Sequence, residues 1–466
     1  MHAKANLKKN FDTIAAIATP IGEGGISVIR ISGESAIPVA DLLFKGRVKL
    51  SEVQSHTAHF GRLVTQDGTI LDEVVATCFR KPSSYTCEDV VEISCHGGYL
   101  VSQKVLNEIL NCGVRLAEPG EFTKRAFLNG RLDLTQAEAV ADLIHAKSET
   151  AYKSSLKQLS GELSSEINSI RSELLDLASL LELELDFSEE DVEFADRHKL
   201  QSGIETAIAK IGRLASTYSI GRIYREGVRV VIVGKPNVGK SSLMNRLLGE
   251  KRAIVSEVPG TTRDTITEEI ILHGIRFRLT DTAGLRDTSD TIENEGVLRT
   301  RQEASKADIL LLIRDITEIR NGNKSADDIY ANIENLCQLN NIPILAVWNK
   351  VDLIPEIENR KTSEGIFISA LKGTGINVLK KKLYDMVVNI DLSENSIIVT
   401  SARHNDALRR AGRSLSLALE SLREGQPGEF IALDLRAGLD ALGEITGEVT
   451  TDDILNNIFS RFCIGK

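Results

Sequence analysis

The run Gly234-Lys235-Pro236-Asn237-Val238-Gly239-Lys240-Ser241 constrains this chain more than any other segment, because the apolar VRVVIV precedes it and the helix-forming SLMNRLL follows it. A strand, a loop of GxxxxGK[ST] spacing and a helix in that order form a phosphate-binding loop. Its glycines let backbone N–H groups wrap around phosphates, and the new helix directs its positive end at them. Lys240 then reaches the β- and γ-phosphates, the Ser241 hydroxyl is placed to ligate Mg²⁺, and Ser242 is a further candidate GTP contact. The spacing predicts an α/β domain.

Further motifs follow the phosphate loop, each at the end of a strand-like run or in a polar loop. Asp281-Thr282-Ala283-Gly284 follows the strand-like IRFRLT; its aspartate suits outer-sphere Mg²⁺ binding and the Gly284 N–H suits a γ-phosphate contact. Asn349-Lys350-Val351-Asp352 follows IPILAVW. The Asp352 carboxylate can accept from guanine N1–H and the 2-amino group, a pair adenine lacks, so ATP would leave a buried acid unpaired. Ser369-Ala370-Leu371, at the end of GIFIS, has the look of a backbone clip over the guanine 6-oxo group. Gly260-Thr261-Thr262-Arg263-Asp264 supplies a switch threonine for Mg²⁺. The position after Gly284, where Ras-like enzymes carry a water-orienting glutamine, is Leu285, which has no polar atom for that task. Arg286, Asp287, Asp290, Glu293 and Glu295 lie nearby, either as solvated loop charges or with one of them acting on the water. Two roles are open to Asn237: holding a monovalent cation beside the phosphates, or bracing the loop turn.

At 466 residues the chain exceeds a single core and suggests about three domains. Six scattered cysteines without CxxC spacing argue against a zinc site or a disulfide framework and fit a reducing cytosol. MHAKANLKKN lacks a following apolar region, so a signal peptide is not expected, and no run approaches the roughly 20 apolar residues of a membrane span. A net charge of −10 speaks against broad phosphate neutralisation of nucleic acid. The early part of the chain reads as mixed strands and helices, with strands at GISVIRIS, EVVATCF and DVVEISC and a helix after His96-Gly97-Gly98. Leu143, Leu156, Leu159, Leu163, Ile167, Ile170, Leu174, Leu177 and Leu181 then recur at helical steps, as do Leu408, Ala411, Leu415, Ala418 and Leu422 beyond the nucleotide domain. One economical reading joins these two stretches into a single helical domain interrupted by the α/β domain. The acidic run from Glu182 to Glu193 reads as a solvated helix face, and the last helix reads as capped by Thr450, with Asp453 completing a capping box. Without other information, Arg30 and Glu92 are strand-edge charges and Lys466 a frayed tail.

TIAAIATPIGEGGISVIRISG near the start, PGEFTKRAFLNGRLDLTQAEAVADLI further on and the terminal FCIGK closely resemble the MnmE (TrmE) family of tRNA-modification GTPases, over essentially the whole chain. The resemblance implies a multidomain α/β plus all-α fold. Residues 1–130 form an N-terminal α/β domain that binds tetrahydrofolate and dimerises. Residues 131–226 and 391–466 form a helical domain, and 227–390 an inserted Ras-like P-loop GTPase domain. It carries folate contacts onto Arg30, Glu92, Arg131 and Lys466; position 131 is arginine here, where lysine also occurs in the family, and a planar fork alters the contact made by a point charge. It extends the nucleotide contacts over Ser256-Glu257-Val258-Pro259-Gly260-Thr261-Thr262. Potassium falls to Asn237, Ser256, the Val258 backbone and Thr261, and magnesium to Ser241 and Thr262. Catalysis falls to Lys240, Gly284 and Glu293, the last matching the acid that orients the water and so filling the gap at Leu285. Cys463 in FCIGK reads as a positioning residue rather than a nucleophile, since nothing in the sequence shows a base beside it.

The implied function is a potassium-activated cytoplasmic GTPase, working as a homodimer with a flavin-dependent MnmG (GidA) family partner in a heterotetramer. It would add a carboxymethylaminomethyl or aminomethyl group to C5 of the wobble uridine of certain tRNAs. The one-carbon unit would come from 5-formyl- or 5,10-methylene-tetrahydrofolate. No GxGxxG fingerprint follows a strand, which assigns FAD to the partner. The competing class is a regulatory GTPase switch of the ribosome-assembly type; it calls for a basic RNA-binding module such as a KH domain, and none is evident.

Overall fold

The computed structural model describes residues 12–186, 196–249, 267–281, 302–317, 334–354 apart from 336, 365–388 and 397–466. Ser256, Glu257, Val258, Pro259, Gly260, Thr261, Thr262, Thr282, Ala283, Gly284 and Glu293 therefore lie outside the described residues. The chain divides into two compact units, Met1–Ile144 with Ser155–Ala215 and Arg403–Lys466, and His145–Ser154 with Ser216–Ala402.

In the first unit, alternation of apolar and polar residues builds a seven-stranded sheet. Its strands are β1 (Ile14–Ile17), β2 (Ile26–Ser32), β3 (Phe44–Gly46), β4 (Thr57–Val64), β5 (Ile70–Phe79), β6 (Val90–His96) and β7 (Arg115–Leu116), in the order β3-β4-β5-β6-β2-β1-β7. Ile29 and Ile31 of β2 and Ile93 of β6 point to one face, where they pack with Ala40 and Leu43 of helix α1 (Ala36–Leu43) and Val105 and Ile109 of α2 (Tyr99–Asn111). The intervening Arg30 and Glu92 therefore face the other side, directly paired in register. Both strands have neighbours on each side, so these are central residues and not the edge charges the sequence suggested. At the end of β6, His96 is held through Nδ1 by Asp72, 2.7 Å away.

Helices α3 (Glu121–Leu128), α4 (Leu134–Ile144), α5 (Glu149–Leu159), α6 (Glu162–Asp186) and α7 (Arg197–Ser216) follow. Of the predicted stripe, Leu163, Ile167, Ile170, Leu174 and Leu181 of α6 are buried, as the three- and four-residue steps require, while Leu159 and Leu177 are half-buried and Leu156 of α5 is exposed.

The second unit holds a six-stranded sheet of β8 (Val228–Gly234), β9 (Thr267–Leu272), β10 (Ile275–Asp281), β11 (Ile309–Asp315), β12 (Ile344–Asn349) and β13 (Ile366–Phe367), ordered β13-β12-β11-β8-β10-β9. All are parallel to their neighbours except β9, which pairs antiparallel with β10. β8 is central and, apart from Arg229 near its start, apolar, as expected of a strand covered on both faces. Helix α8 (Tyr218–Glu226) leads into it, α9 (Lys240–Leu248) leaves it, and α10 (Ile376–Val388) closes the sheet. The β9–β10 hairpin is held by the segment preceding α5 and the start of that helix: Thr150 Oγ1 donates to the carbonyl of Gly274 at the tip at 2.9 Å, and Lys147 pairs with Glu269 within β9 at 3.1 Å.

Beyond the second unit, α11 (Ala402–Arg423), α12 (Gly428–Thr446) and α13 (Asp452–Phe459) complete the first. The two helical stretches meet: Gly428 at the start of α12 lies against Leu181 and Leu185 of α6, where an added Cβ would sit 3.4 and 3.2 Å from their methyls. Glu182 pairs with Arg436 at 2.8 Å and Glu184 with Arg197 at 2.6 Å, so the described start of the acidic run is ion-paired, not simply solvated. The cap of α13 is Thr451, one residue later than the sequence reading: its hydroxyl accepts from the Ile454 N–H at 3.4 Å. The third helical position is thus Ile454, which cannot reciprocate, and the box with Asp453 does not form.

Candidate functional site

β8 ends at Gly234, where a Cβ would approach the Ile313 carbonyl to 2.5 Å, so the loop can turn over β11 only with glycine there. Asn237 and Gly239 carry φ of +63° and +97° before α9 begins at Lys240. An added Cβ at Gly239 would fall 2.2 Å from Asn349 Nδ2, so glycine there leaves room for the Asn349 motif to close on the phosphate loop. Lys240 is buried and donates through Nζ to the carbonyls of Gly234 and Lys235, both at 2.7 Å, which sets its charge within the curl of the loop. Ser241 Oγ lies 3.4 Å from Asp281 Oδ2 at the end of β10. Two hard oxygen groups this close are a donor set suited to Mg²⁺.

Asn349, the last residue of β12 and 2% exposed, bridges two loops: Nδ2 donates to the Val238 carbonyl at 2.8 Å and Oδ1 accepts from Ala370 N–H at 2.9 Å. Lys350, at φ +68°, pairs with Asp315 at 2.6 Å. Burial would raise the Asp315 carboxyl, but hydrogen bonds from Lys350 and Thr317 hold it below the usual range. Asp352, on the turn Val351–Leu353, accepts from Ser369 Oγ at 2.6 Å. The loop residues Asn237, Val238, Gly239, Lys240 and Ser241, with Asp281, the Asn349-to-Asp352 motif and Ser369-Ala370-Leu371, therefore converge at the carboxyl ends of parallel strands, the edge at which open α/β sheets bind ligands. Asp315 and Arg246 were not anticipated. A carboxylate ending an apolar strand was the available signal for the first; nothing local marked the second.

A second cluster lies in the first unit. Arg30 donates through Nε to Glu92 Oε1 at 2.9 Å, and through a terminal nitrogen to the Gly465 carbonyl at 3.5 Å. Its guanidinium lies 5.0 Å from the Tyr85 ring centroid, and that of Arg131 lies 4.8 Å from the same ring. Tyr85, missed in the sequence because SSYTCED carries no periodic signal, is thus shared by two cations. It lines a cavity of about 600 Å³ together with Glu92, Asn129, Arg131, His56 and Phe79. The chain terminus is docked, not frayed: Gly465 has φ +94° and sits so close that a Cβ would lie 2.2 Å from the Ile17 carbonyl. The Cys463 carbonyl accepts from Gly120 and Lys466 N–H groups at 3.4 Å each, while Phe462 is buried against the core around Phe127 and Leu134. Burial, followed by the Arg30 charge, pushes the Lys466 amine below its ordinary value, partly opposed by Glu92. Arg30, Glu92 and Lys466 therefore share one electrostatic neighbourhood, with Arg131 joined to it through Tyr85.

A mostly parallel sheet that presents a phosphate loop, the adjacent Ser241 and Asp281 and the Asn-Lys-Val-Asp motif at its carboxyl edge defines a P-loop GTPase domain. The MnmE helical domain family matches residues 134–463, and the family described as GTP-binding protein TrmE N-terminus matches 13–131. Similar curated proteins include the tRNA modification GTPase MnmE of Chlorobium phaeobacteroides, 49% identical over 98% of this chain and 97% of its own. The proteins of the same name from Chlorobaculum tepidum and Cytophaga hutchinsonii are 48% identical over 97% of each chain and 45% identical over 98% of each chain. The chain belongs to the MnmE family and is a GTP hydrolase with that family's N-terminal and helical domains. Among the described residues, no helix is long and apolar enough to cross a membrane, and no group of three or more His, Cys, Asp or Glu side chains could hold a metal ion.

Proposed function

We propose that this chain is a potassium-activated, cytoplasmic, homodimeric GTPase. With a flavin-dependent MnmG-type partner, it adds a carboxymethylaminomethyl or aminomethyl group to C5 of the wobble uridine of certain tRNAs. The observation that carries the reading is the meeting of Arg30 and Glu92 with the Gly465–Lys466 terminus, 435 residues away, in a chain that also has a GTP-binding edge. Two guanidiniums about one tyrosine ring beside a cavity of about 600 Å³ suit a flat, ring-bearing anion of the size of a folate. When bound, tetrahydrofolate supplies the one-carbon unit; Arg30, Glu92, Arg131 and Lys466 hold and orient it.

In the GTPase site, Lys240 neutralises charge at the β–γ bridge and the Gly284 N–H contacts the γ-phosphate. Glu293 orients the water that Leu285 cannot. Magnesium, held by Ser241 and Thr262, and potassium, held by Asn237, Ser256, Val258 and Thr261, supply further charge stabilisation when bound. Domain limits of 1–130, 131–226, 227–390 and 391–466 belong to the same proposal.

The test is the steady-state GTPase rate in potassium and in sodium at equal ionic strength, with Asn237→Ala alongside. Strong potassium dependence that the variant loses supports the cation-assisted mechanism; equal rates in the two salts overturn it. In parallel, the chain is expressed in a bacterium lacking its own MnmE and wobble-uridine nucleosides are quantified. Restored modification is expected, and its absence despite GTPase activity favours a simple switch.

A further inference from the structure

The loop that follows β13 spends its backbone amides almost completely on the protein itself. Ser369 N–H donates to the Thr374 carbonyl at 3.0 Å, Gly373 N–H to the Ser369 carbonyl at 2.7 Å, and Lys372 N–H to Ser369 Oγ at 3.0 Å. Ala370 N–H goes to Asn349. Among the described residues, the Leu371 N–H has no protein acceptor. The carbonyls of Ala370 and Leu371 face α9, where Arg246 receives both: Nε donates to Ala370 O at 3.1 Å and Nη2 donates to Leu371 O. The guanidinium also packs against the turn at Gly373, whose φ is +85° and where an added Cβ would lie 3.7 Å from its central carbon.

A trans peptide is planar, so the carbonyl of Ala370 and the N–H of Leu371 lie on opposite edges of one rigid unit. Fixing the carbonyl toward α9 turns the N–H away from it. We propose that Arg246 is a positioning residue for base recognition: by clamping the two carbonyls it aims the Leu371 N–H at the 6-oxo group of guanine. The proposal rests on the reading of this edge as a GTP site. Adenine presents a donor at that ring position, so an aimed N–H would attract guanine and oppose adenine. Lysine replaces the fork only in part, because a flexible ammonium can meet both carbonyls but does not fix their directions as a planar guanidinium does.

The test measures dissociation constants of the full chain for GDP, ADP and 2-aminopurine riboside diphosphate, which lacks the 6-oxo group. Wild type, Arg246→Ala and Arg246→Lys are compared, with thermal melting of each variant as a control for folding. Arg246→Ala is expected to weaken GDP about tenfold while changing the 2-aminopurine nucleotide by less than about twofold, with Arg246→Lys in between. Equal weakening of both nucleotides, or of neither, overturns the proposal. Wild type binding GDP no more tightly than ADP overturns the GTP-site reading itself, and the proposal with it.

Discussion

Asn349 and Val238, 111 residues apart, are joined by a buried hydrogen bond of 2.8 Å that locks the base-recognition motif to the phosphate loop. Because the same side chain also accepts from Ala370, its loss would leave a carbonyl and an N–H unpaired at once. Asn349→Ala is predicted to lower GDP affinity by about 2–3 kcal/mol, roughly 30- to 150-fold. Competition binding with a fluorescent GDP analogue reads this directly, and a change below about threefold would show that the phosphate loop holds its shape without the bridge.

At Gly465 the terminal docking depends on a positive φ and on the missing side chain, since a Cβ there would meet the Ile17 carbonyl at 2.2 Å. Gly465→Ala is predicted to release the last residues. Binding of 5-formyl-tetrahydrofolate should fall at least about tenfold, with little change in melting temperature because the displaced segment is short. Calorimetry gives the affinity, and faster carboxypeptidase trimming reports the freed terminus. Unchanged trimming would contradict the docking.

Arg30 connects Glu92, Tyr85 and the Gly465 carbonyl, and its side chain is 12% exposed against 27% for Glu92. Arg30→Ala leaves a half-buried carboxylate unpaired in the middle of the sheet. It should cost about 1–3 kcal/mol in urea unfolding as well as folate binding. The double variant Arg30→Ala with Glu92→Gln should recover part of the stability but none of the binding. Recovery of both would assign the pair a purely structural role.

The pH dependence centres on Glu138, which accepts from Arg403 at 2.9 Å and lies 2.7 Å from Nε2 of the fully buried His404. Burial would raise this carboxyl, but His404 and Arg403 outweigh burial and hold it well below the usual carboxylate range. A depressed folded pKa contributes stability that is fully present above the ordinary glutamate value of about 4.3. That stability is lost as pH falls through the lower folded value. Glu138→Gln should therefore be less stable than wild type by about 3 kcal/mol at pH 7, with the gap closing progressively below about pH 4. Urea midpoints across pH 3–7 test the sign; a gap that widens in acid would refute it.

The nucleotide edge was legible in the amino-acid sequence because its chemistry is local. Gly234 to Ser241 must be contiguous to curl around phosphate, and the strand before and the helix after it are set by apolar periodicity within a few residues. The stripe from Leu163 to Leu181 was legible for the same reason. A cap one residue off, at Thr451 and not Thr450, shows the limit of that kind of inference, since two adjacent threonines offer the same hydroxyl and only backbone geometry chooses between them.

Other features were settled by packing across long separations. Nothing within β2 shows that Arg30 faces Glu92, because strand order and register decide it, and those depend on which neighbours bury the opposite face. The hydrogen bond from the Lys466 N–H to the nearby Cys463 carbonyl does not by itself order a chain end; the end is ordered because Phe462 finds a core and Gly465 fits against Ile17. The clamp of Arg246 on Ala370 and Leu371 exists only once α9 and the loop after β13 have packed on the same sheet. Short-range periodicity and contiguous motifs thus determined the elements and the class of chemistry. Side-chain pairings between distant segments waited on the tertiary structure, because they arise from burial that no single segment can achieve alone.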